Sequence, residues 1–194
     1  MKLSENTVSV LKNFSTINQN LMIKEGSVLQ TMSTMKNIVA SARVSEVFEK
    51  EVAIYNLDEF LAALSLFDNP ELDFKDKFMT MGNEGSRKSL KYWYSAPEVV
   101  TQVSKEITMP PCEVNFNFSD KELSDITKAA AVIGVPDMVL ENGSLRVTDK
   151  KNDEANHFSM EIDYIKMDHE TAVAVDHKFW FKVETLKIMP GTYE

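Results

Sequence analysis

Cysteine is almost absent from this sequence, in which Cys112 is the single example among 194 residues, so no disulfide forms within the chain. One free cysteine suits a reducing compartment. No apolar run approaches the ~20 residues that a membrane span needs. The opening residues are polar and do not have the pattern of a secretory leader. We therefore expect a soluble intracellular protein.

Positive charge is also scarce. Lysine and arginine together number 21, against 30 aspartates and glutamates, which gives a net charge of −9. This balance argues against a protein that binds nucleic acid over its whole surface. It remains compatible with one local basic face that contacts DNA.

The sequence lacks clusters of residues with metal-binding or catalytic spacing. His157, His169 and His177 have no metal-ligand spacing among themselves, and Cys112 is far from them in the sequence. No glycine-rich phosphate loop, nucleophile elbow or Ser/His/Asp order is present. We expect neither an enzyme nor a bound metal or cofactor.

Two weaker chemical candidates have simpler explanations. Asp163, Asp168 and Glu170 are more typical of a solvated loop after a strand than of paired catalytic carboxylates. This disfavours a hydrolase that uses Asp163 and His169. A basic turn with two glycines falls between predicted strands, whereas phosphate sites form where such a turn precedes a helix. The residues of this turn are Gly82, Gly85, Ser86, Arg87 and Lys88.

The sequence does contain a repeat, because each half has the same three parts in the same order. These parts are an amphipathic helix, a tight hairpin, and a strand that runs into a second helix. In the first half they are residues 4–16, 21–31 and 52–67. In the second half they are residues 119–133, 137–148 and 177–191. A duplicated unit predicts two similar α+β domains and, through them, a pseudo-symmetric assembly.

Capping and turn residues mark the ends of these elements. Ser4, Asn56 and Ser119 precede helical apolar patterns, as N-cap residues do, and Ser119 also begins a capping-box pattern. Asn142-Gly143 is a strong signal for a two-residue hairpin turn. The pattern predicts further strands at residues 35–45, 47–55, 72–74, 78–81, 89–94, 112–118 and 158–164.

A proline-containing linker separates the two halves, and we place the domains at residues 1–108 and 109–194. The two domains are unequal in length after their second helix. In the first domain, residues 68–94 follow that helix as strands and turns. In the second, only residues 192–194 follow it. We therefore expect the second domain to lack its last strands.

Four stretches of the sequence resemble, in order and in spacing, the DNA polymerase sliding clamps of T-even-type bacteriophages. They are MKLSENTVSVLKNFSTIN at 1–18, VAIYNLDEFLAALSL at 52–66, YWYSAPEVV at 92–100 and KIMPGTY at 187–193. The resemblance covers essentially the whole chain. Its specificity comes from this collinearity, since no single stretch is a chemical signature.

The resemblance implies a processivity factor, in which three head-to-tail subunits form a closed ring around duplex DNA. Each subunit of the family has two similar domains of the DNA clamp fold, with two helices per domain lining the hole and antiparallel sheets outside. A clamp loader places the ring, the DNA polymerase binds one face, and the clamp itself catalyses no reaction. Family members continue beyond the last matched motif. The implied location is the cytoplasm of an infected bacterial host cell.

A ring holds DNA by enclosure, so a few lysines on the hole-facing helices suffice, and tight phosphate contacts would hinder sliding. The candidates for DNA-facing residues are Lys2, Lys12, Lys121, Lys128 and Lys187. Two simpler explanations stay open. Lysines on a polar helix face are commonly just solvated. Alternatively, Glu122 and Asp125 pair with the neighbouring lysines at helical spacing.

Partners of such clamps insert a short apolar peptide beside the connector between the domains. The residues that border the connector in this chain are Tyr92, Trp93, Val99, Val100 and Val103. Ordinary packing of strand-end aromatic residues is the alternative for this set. For the chain as a whole, the alternative function is a protein-interaction module that has a clamp-like fold and does not encircle DNA.

Overall fold

The structure, a computed structural model, describes residues 1–103, 108, 114–166 and 178–191. The chain divides into two compact units, Met1–Ile107 and Thr108–Glu194, called unit 1 and unit 2 below. None of the helices in the described ranges combines the length and the hydropathy that a membrane span requires.

Unit 1 is built from helices and antiparallel strands. In chain order they are α1 (Glu5–Ser15), β1 (Leu21–Ile23), β2 (Gly26–Met32), β3 (Val39–Phe48), β4 (Val52–Ile54), α2 (Leu57–Ser65), β5 (Glu71–Phe74), β6 (Phe78–Gly82), β7 (Ser89–Trp93) and a 3-10 turn at Pro97–Val99. β1 pairs with β4, β2 pairs with β3, and β5, β6 and β7 form a three-stranded sheet.

Both helices of unit 1 begin at the predicted N-cap residues, which confirms those predictions. The Ser4 hydroxyl accepts a hydrogen bond from the Thr7 N–H at 3.2 Å. The Asn56 side chain accepts one from the Glu59 N–H at 3.1 Å. Each bond satisfies a backbone donor that the first helical turn leaves without a partner. The helices pack against each other, and their buried apolar residues include Val10, Leu11, Phe14, Leu57, Phe60 and Leu64.

The predicted hairpin over residues 21–31 is wrong. The strands on either side of Gly26 belong to different ladders, since β1 pairs with β4 and β2 pairs with β3. All residues of β1 and β4 are buried, and a strand buried on both faces has no alternation that would reveal its partner. Gly26 has a φ of 108°, so glycine supplies the positive φ at this bend.

The bounds predicted for the next two strands also differ from the structure. The strand predicted from residue 35 starts instead at Val39, because Ser33 closes a turn before it. The Ser33 hydroxyl accepts hydrogen bonds from the N–H groups of Asn37 (3.2 Å) and Ile38 (3.1 Å). β3 then continues to Phe48 without the predicted break.

Unit 2 repeats this mixture of elements. In chain order they are β8 (Val114–Asn117), α3 (Asp120–Ile133), β9 (Asp137–Glu141), β10 (Ser144–Thr148), β11 (Phe158–Glu161), β12 (Asp163–Lys166), β13 (Lys178–Lys182) and a 3-10 turn at Val183–Thr185. One antiparallel sheet has the strand order β11–β10–β9–β13, and β12 pairs with β8.

The capping box and the two-residue hairpin of unit 2 are confirmed. The Ser119 hydroxyl accepts a hydrogen bond from the Glu122 N–H at 3.3 Å, and the Glu122 carboxylate accepts one from the Ser119 N–H at 2.6 Å. Gly134 ends α3 in the left-handed conformation, at a φ of 70°. Asn142 and Gly143 join β9 to β10 with φ values of 49° and 82°, as a two-residue turn of this kind requires.

The predicted second helix of unit 2 is wrong. β13 runs into the short 3-10 turn, and residues 186–191 have no regular structure. The Lys182 side chain makes no capping hydrogen bond before this turn, whereas Asn56 caps α2 at the matching point of unit 1. Pro190 is a second obstacle, because proline does not fit a helix interior. Among the described residues, the pair of helices is therefore complete only in unit 1.

The repeat is visible in the topology of the described residues. α1 precedes the β1–β4 and β2–β3 pairs, and α3 precedes the equivalent β9–β13 and β10–β11 pairs. Matching backbone hydrogen bonds join the Leu57 N–H to the Gln19 oxygen (2.7 Å) and the Val183 N–H to the Pro136 oxygen (2.9 Å). The units differ in that β9 also pairs with β10, and no strands equivalent to β5–β7 occur in the described residues after Lys182.

The helix of unit 2 covers one face of its larger sheet. Ile126 of α3 joins Leu140 of β9 and Leu145 of β10 in a buried apolar cluster. Successive residues of a strand point to opposite faces of a sheet. Asp137 and Val139 of β9 therefore lie on the face away from α3.

Candidate DNA-facing and partner-binding surfaces

Three of the five candidate lysines lie on helices and are exposed. Lys12 is in the last turn of α1. Lys121 and Lys128 are on α3, whose buried residues Ile126 and Ala130 face the sheet. The spacing of these two lysines places them about two turns apart on the same side of the helix. α1 and α3 thus each bury an apolar stripe and present lysine to solvent.

The helical lysines are not neutralised by the neighbouring acidic residues. The Glu122 carboxylate is occupied by the Ser119 N–H and hydroxyl, and these hydrogen bonds hold the pKa of Glu122 below its usual value. In the part of the chain that the structure describes, no ion pair within 4.0 Å involves Lys12, Lys121 or Lys128. Their charges are available to an anion, and their contact with DNA stays a prediction.

The other two candidate lysines lie outside helices. Lys2 is exposed, and its backbone forms an isolated antiparallel bridge with Glu71. Lys187 is also exposed, in the irregular segment where its N–H donates to the Thr185 oxygen at 2.9 Å. The placement of Lys187 on a helix is therefore wrong. The prediction that these two residues face DNA stays untested.

Tyr92 points into unit 1 and supports the start of α2. Its hydroxyl donates to the Asn56 oxygen at 3.2 Å, and its ring meets Phe60 edge to face with 5.5 Å between centroids. Burial, assisted by the charge of Glu59, raises the pKa of Tyr92 to about 12. Tyr92 therefore packs within its own unit, as in the alternative of ordinary packing by strand-end aromatic residues.

The first residues of the connector are attached to unit 1. Val100 is only 6% exposed and packs against Met22 and Ala53. The Thr101 N–H donates to the Asn20 side-chain oxygen at 2.7 Å. The oxygen of the half-buried Val103 accepts a hydrogen bond from the Lys24 ammonium at 3.4 Å. Val100 therefore anchors the connector.

Trp93 and Val99 are the outward-facing members of the predicted set, with 61% and 54% of their surfaces exposed. The Trp93 ring lies 5.2 Å from the Phe78 ring, and the Lys91 ammonium lies 4.1 Å from the Phe78 centroid. Beside Trp93 is a groove of about 310 Å³, called the connector groove below. Its lining includes Met22, Ala53, Trp93, Tyr94, Ala96 and Pro97.

Sequence reasoning missed several residues of the connector groove. Tyr94 and Pro97 are close to the predicted residues in the sequence and could have been included for that reason. Met22 and Ala53 come from β1 and β4, and no local signal places them there. Only the pairing of those two strands brings them to the connector.

Most residues considered for catalysis or metal binding lie outside the described part of the chain. These residues are Cys112, Asp168, His169, Glu170 and His177. His157 is exposed. No group of three or more potential metal ligands occurs among the described residues. The basic turn at Gly85 and Arg87 joins β6 to β7 and does not precede a helix.

Comparison with known sequences shows relatives along the whole chain. Residues 2–96 match the family described as DNA polymerase processivity factor. The chain is 34% identical over 203 residues to the sliding clamp of Vibrio phage KVP40, covering 100% of this chain and 89% of that protein. It is 26% identical over 208 residues to the sliding clamp of Enterobacteria phage T4, covering 100% of this chain and 86% of that protein.

Solved structures share the fold. Proliferating cellular nuclear antigen from Thermococcus kodakaraensis superimposes with a TM-score of 0.67 at 15% identity, over 96% of this chain and 82% of that chain. The homologous antigen from Entamoeba histolytica superimposes with a TM-score of 0.61 at 14% identity, over 96% of this chain and 81% of that chain. Together with the antiparallel sheets and helices, these likenesses confirm the α+β clamp fold.

Proposed function

The chain belongs to the sliding-clamp family of phage DNA polymerase processivity factors, and from that membership we propose how it acts. Three subunits join head to tail in a ring around duplex DNA, and the ring tethers the replicative polymerase during synthesis. The likeness to the KVP40 clamp along 100% of this chain is the observation that carries the proposal. The site of action is the cytoplasm of an infected bacterium.

Enclosure determines what the DNA-facing residues must do. A closed ring leaves circular DNA only when it opens, so its lysines need not bind phosphates tightly, and weak contacts let the ring slide. Lys12, Lys121 and Lys128 suit this role because they are exposed on helices and lack a carboxylate partner among the described residues. Lys2 and Lys187 are proposed as additional DNA contacts.

The partners act on the ring from outside and supply the chemistry. A clamp loader opens the ring with ATP and places it on DNA, and the polymerase then binds one face. We assign the polymerase contact to the connector groove, which Trp93 lines, together with the exposed Val99 and the half-buried Val103 of the connector. Tyr92 and Val100 support that surface from within. The clamp itself catalyses no reaction.

The test of this function measures retention on DNA after loading. A labelled clamp is loaded onto nicked circular DNA, and the circle is then cut once. An enclosing clamp slides off the linear ends and remains on the uncut circle. The variant Lys12→Glu/Lys128→Glu should load roughly three- to tenfold more slowly, because it reverses two of the charges that we propose attract DNA.

The matched control reverses two exposed lysines of unit 1 that lie outside the helices, Lys36 and Lys88. It should load at the rate of the unaltered protein. Equal slowing in both double variants, or none in the helical one, would remove Lys12 and Lys128 from the DNA surface. Equal retention on circular and linear DNA would contradict enclosure itself.

A further inference from the structure

The sheet of unit 2 carries a tryptophan framed by lysines on the face away from α3. Trp180 of β13 lies opposite Val139 of β9, and that valine is on the face away from α3. Lys178 and Lys182 share the face with Trp180, since they are two residues before and after it on the same strand. We call this surface, together with Lys150 and Lys151, the Trp180 face.

Ion pairs hold the lysines of β13 beside the ring. The Lys178 ammonium lies 3.0 Å from the Glu141 carboxylate, and Lys182 pairs with the buried carboxylate of Asp137. The ammonium groups of Lys150 and Lys178 lie 5.0 Å and 5.7 Å from the Trp180 ring centroid, within the range of cation–π attraction. The surface is therefore organised before any ligand arrives.

Lys150 and Lys151 add two exposed positive charges beside this face. The Lys150 N–H donates to the Asp137 carboxylate at 3.0 Å, which fixes the start of the loop that carries both residues. Neither ammonium has a carboxylate within 4.0 Å among the described residues. The adjoining cavity of about 460 Å³ is lined by Lys150, Lys151 and Lys182 against the single carboxylate of Asp137. The carboxylates of Asp149 and Glu184 also act on Lys182, so the basic groups of this face that have no ion pair among the described residues are Lys150 and Lys151.

We infer that the Trp180 face binds a short acidic segment of a partner protein. The exposed ammoniums of Lys150 and Lys151 complement carboxylates, and the indole offers apolar surface beside them. Nucleic acid fits less well. The lysine ammoniums over the Trp180 ring stand where a base would stack. The inference concerns unit 2 alone and does not depend on ring formation.

The experiment uses an N-acetylated oligoglutamate peptide as the probe. In the full chain with Trp93→Phe, Trp180 is the remaining one of two tryptophans and reports binding by its fluorescence. The peptide should change that fluorescence saturably, and added salt should weaken the effect. Lys150→Glu/Lys151→Glu should weaken binding by about tenfold or more, because it reverses two positive charges of the surface. Calorimetry gives a second measurement that is independent of the indole.

The matched control is Arg87→Glu/Lys88→Glu, which reverses an adjacent exposed basic pair in unit 1. It should bind the peptide as the unaltered protein does, and circular dichroism should show that both variants fold. Three results would overturn the inference. They are a non-saturable response, an equal loss in the control pair, and tighter binding of an oligothymidylate of matched length, which would identify a phosphate-binding surface.

Discussion

At the scale of single residues, the Glu46 carboxylate ties the start of α1 to β3. It accepts hydrogen bonds from the Thr7 hydroxyl and from the Ser4 N–H. Burial alone would raise the pKa of Glu46, but the hydrogen bonds outweigh burial and lower the pKa from 4.5 to about 2. A carboxyl whose pKa is lower in the folded state than in the unfolded state stabilises the fold. The stabilisation is complete at pH values above the pKa of the unfolded state.

Glu46→Gln should therefore destabilise the protein in a pH-dependent way. At pH 7 we expect a loss of about 2 kcal/mol in the free energy of unfolding, since the amide is a weaker acceptor. The stabilisation by Glu46 is full above pH ~4.5 and is lost as the pH falls toward ~2, so the difference should shrink in acid. Urea unfolding at pH 7 and pH ~3 measures both quantities.

The control for this prediction is Glu49→Gln, which neutralises an exposed carboxylate close by in the sequence. Its stability should stay within about 0.5 kcal/mol of the unaltered protein, as for most surface changes. A Glu46→Gln difference that is the same at both pH values would show that the ionised carboxylate does not stabilise the fold.

At the scale of elements, the connector groove depends on two paired strands and the segment after β7. Trp93 contributes the largest exposed apolar side chain at its edge. Trp93→Ala should reduce polymerase binding by about tenfold, because aromatic anchors commonly dominate such contacts. The measurement is the affinity of the cognate polymerase for the loaded clamp, together with the length of the DNA it synthesises.

Met35→Ala is a matched control, since Met35 is an apolar side chain that is 83% exposed in the turn before β3. It should leave polymerase affinity unchanged. If Met35→Ala weakens binding as much as Trp93→Ala, the groove is not the site of contact. Unaltered binding by the Trp93 variant would lead to the same conclusion.

The elements that could be predicted are those with local signals. Ser119 begins a capping box and Asn142-Gly143 forms its turn because the interacting residues are close in the sequence. The partner of β1 could not be predicted, since β4 is distant and both strands are buried on both faces. For the same reason, the sequence does not predict that Met22 of β1 lines the connector groove. The repeat predicts a second helix in unit 2 after its strand. That prediction is wrong, and Lys182, which precedes the 3-10 turn there, makes no capping hydrogen bond.

At the scale of the whole molecule, the proposed ring fixes the mass of the assembly. Head-to-tail contacts that close after three copies give one defined species. We expect a stable species of three times the 22.0-kDa chain mass across a wide concentration range. Analytical ultracentrifugation or light scattering measures this directly.

The Lys12→Glu/Lys128→Glu variant is a control for the assembly, because it should keep that mass while loading slowly on DNA. A monomer at every concentration would contradict the ring and favour an interaction module with a clamp-like fold. The repeat in the sequence predicts two similar units from the residues alone. The ring and its partners came from the resemblance, because contacts between subunits have no signature within one chain.

The exposed amines on α1 and α3 are isolated positive charges on a protein of net charge −9. At physiological salt such a charge acts over about 8 Å, so these side chains attract a polynucleotide only when it is already close. We therefore expect little capture of an unloaded subunit by ribosomal RNA or by the bulk chromosome. The pool of unloaded clamp should then remain free to diffuse. Its supply to a replication fork would be limited by loading and not by dissociation from non-specific nucleic acid.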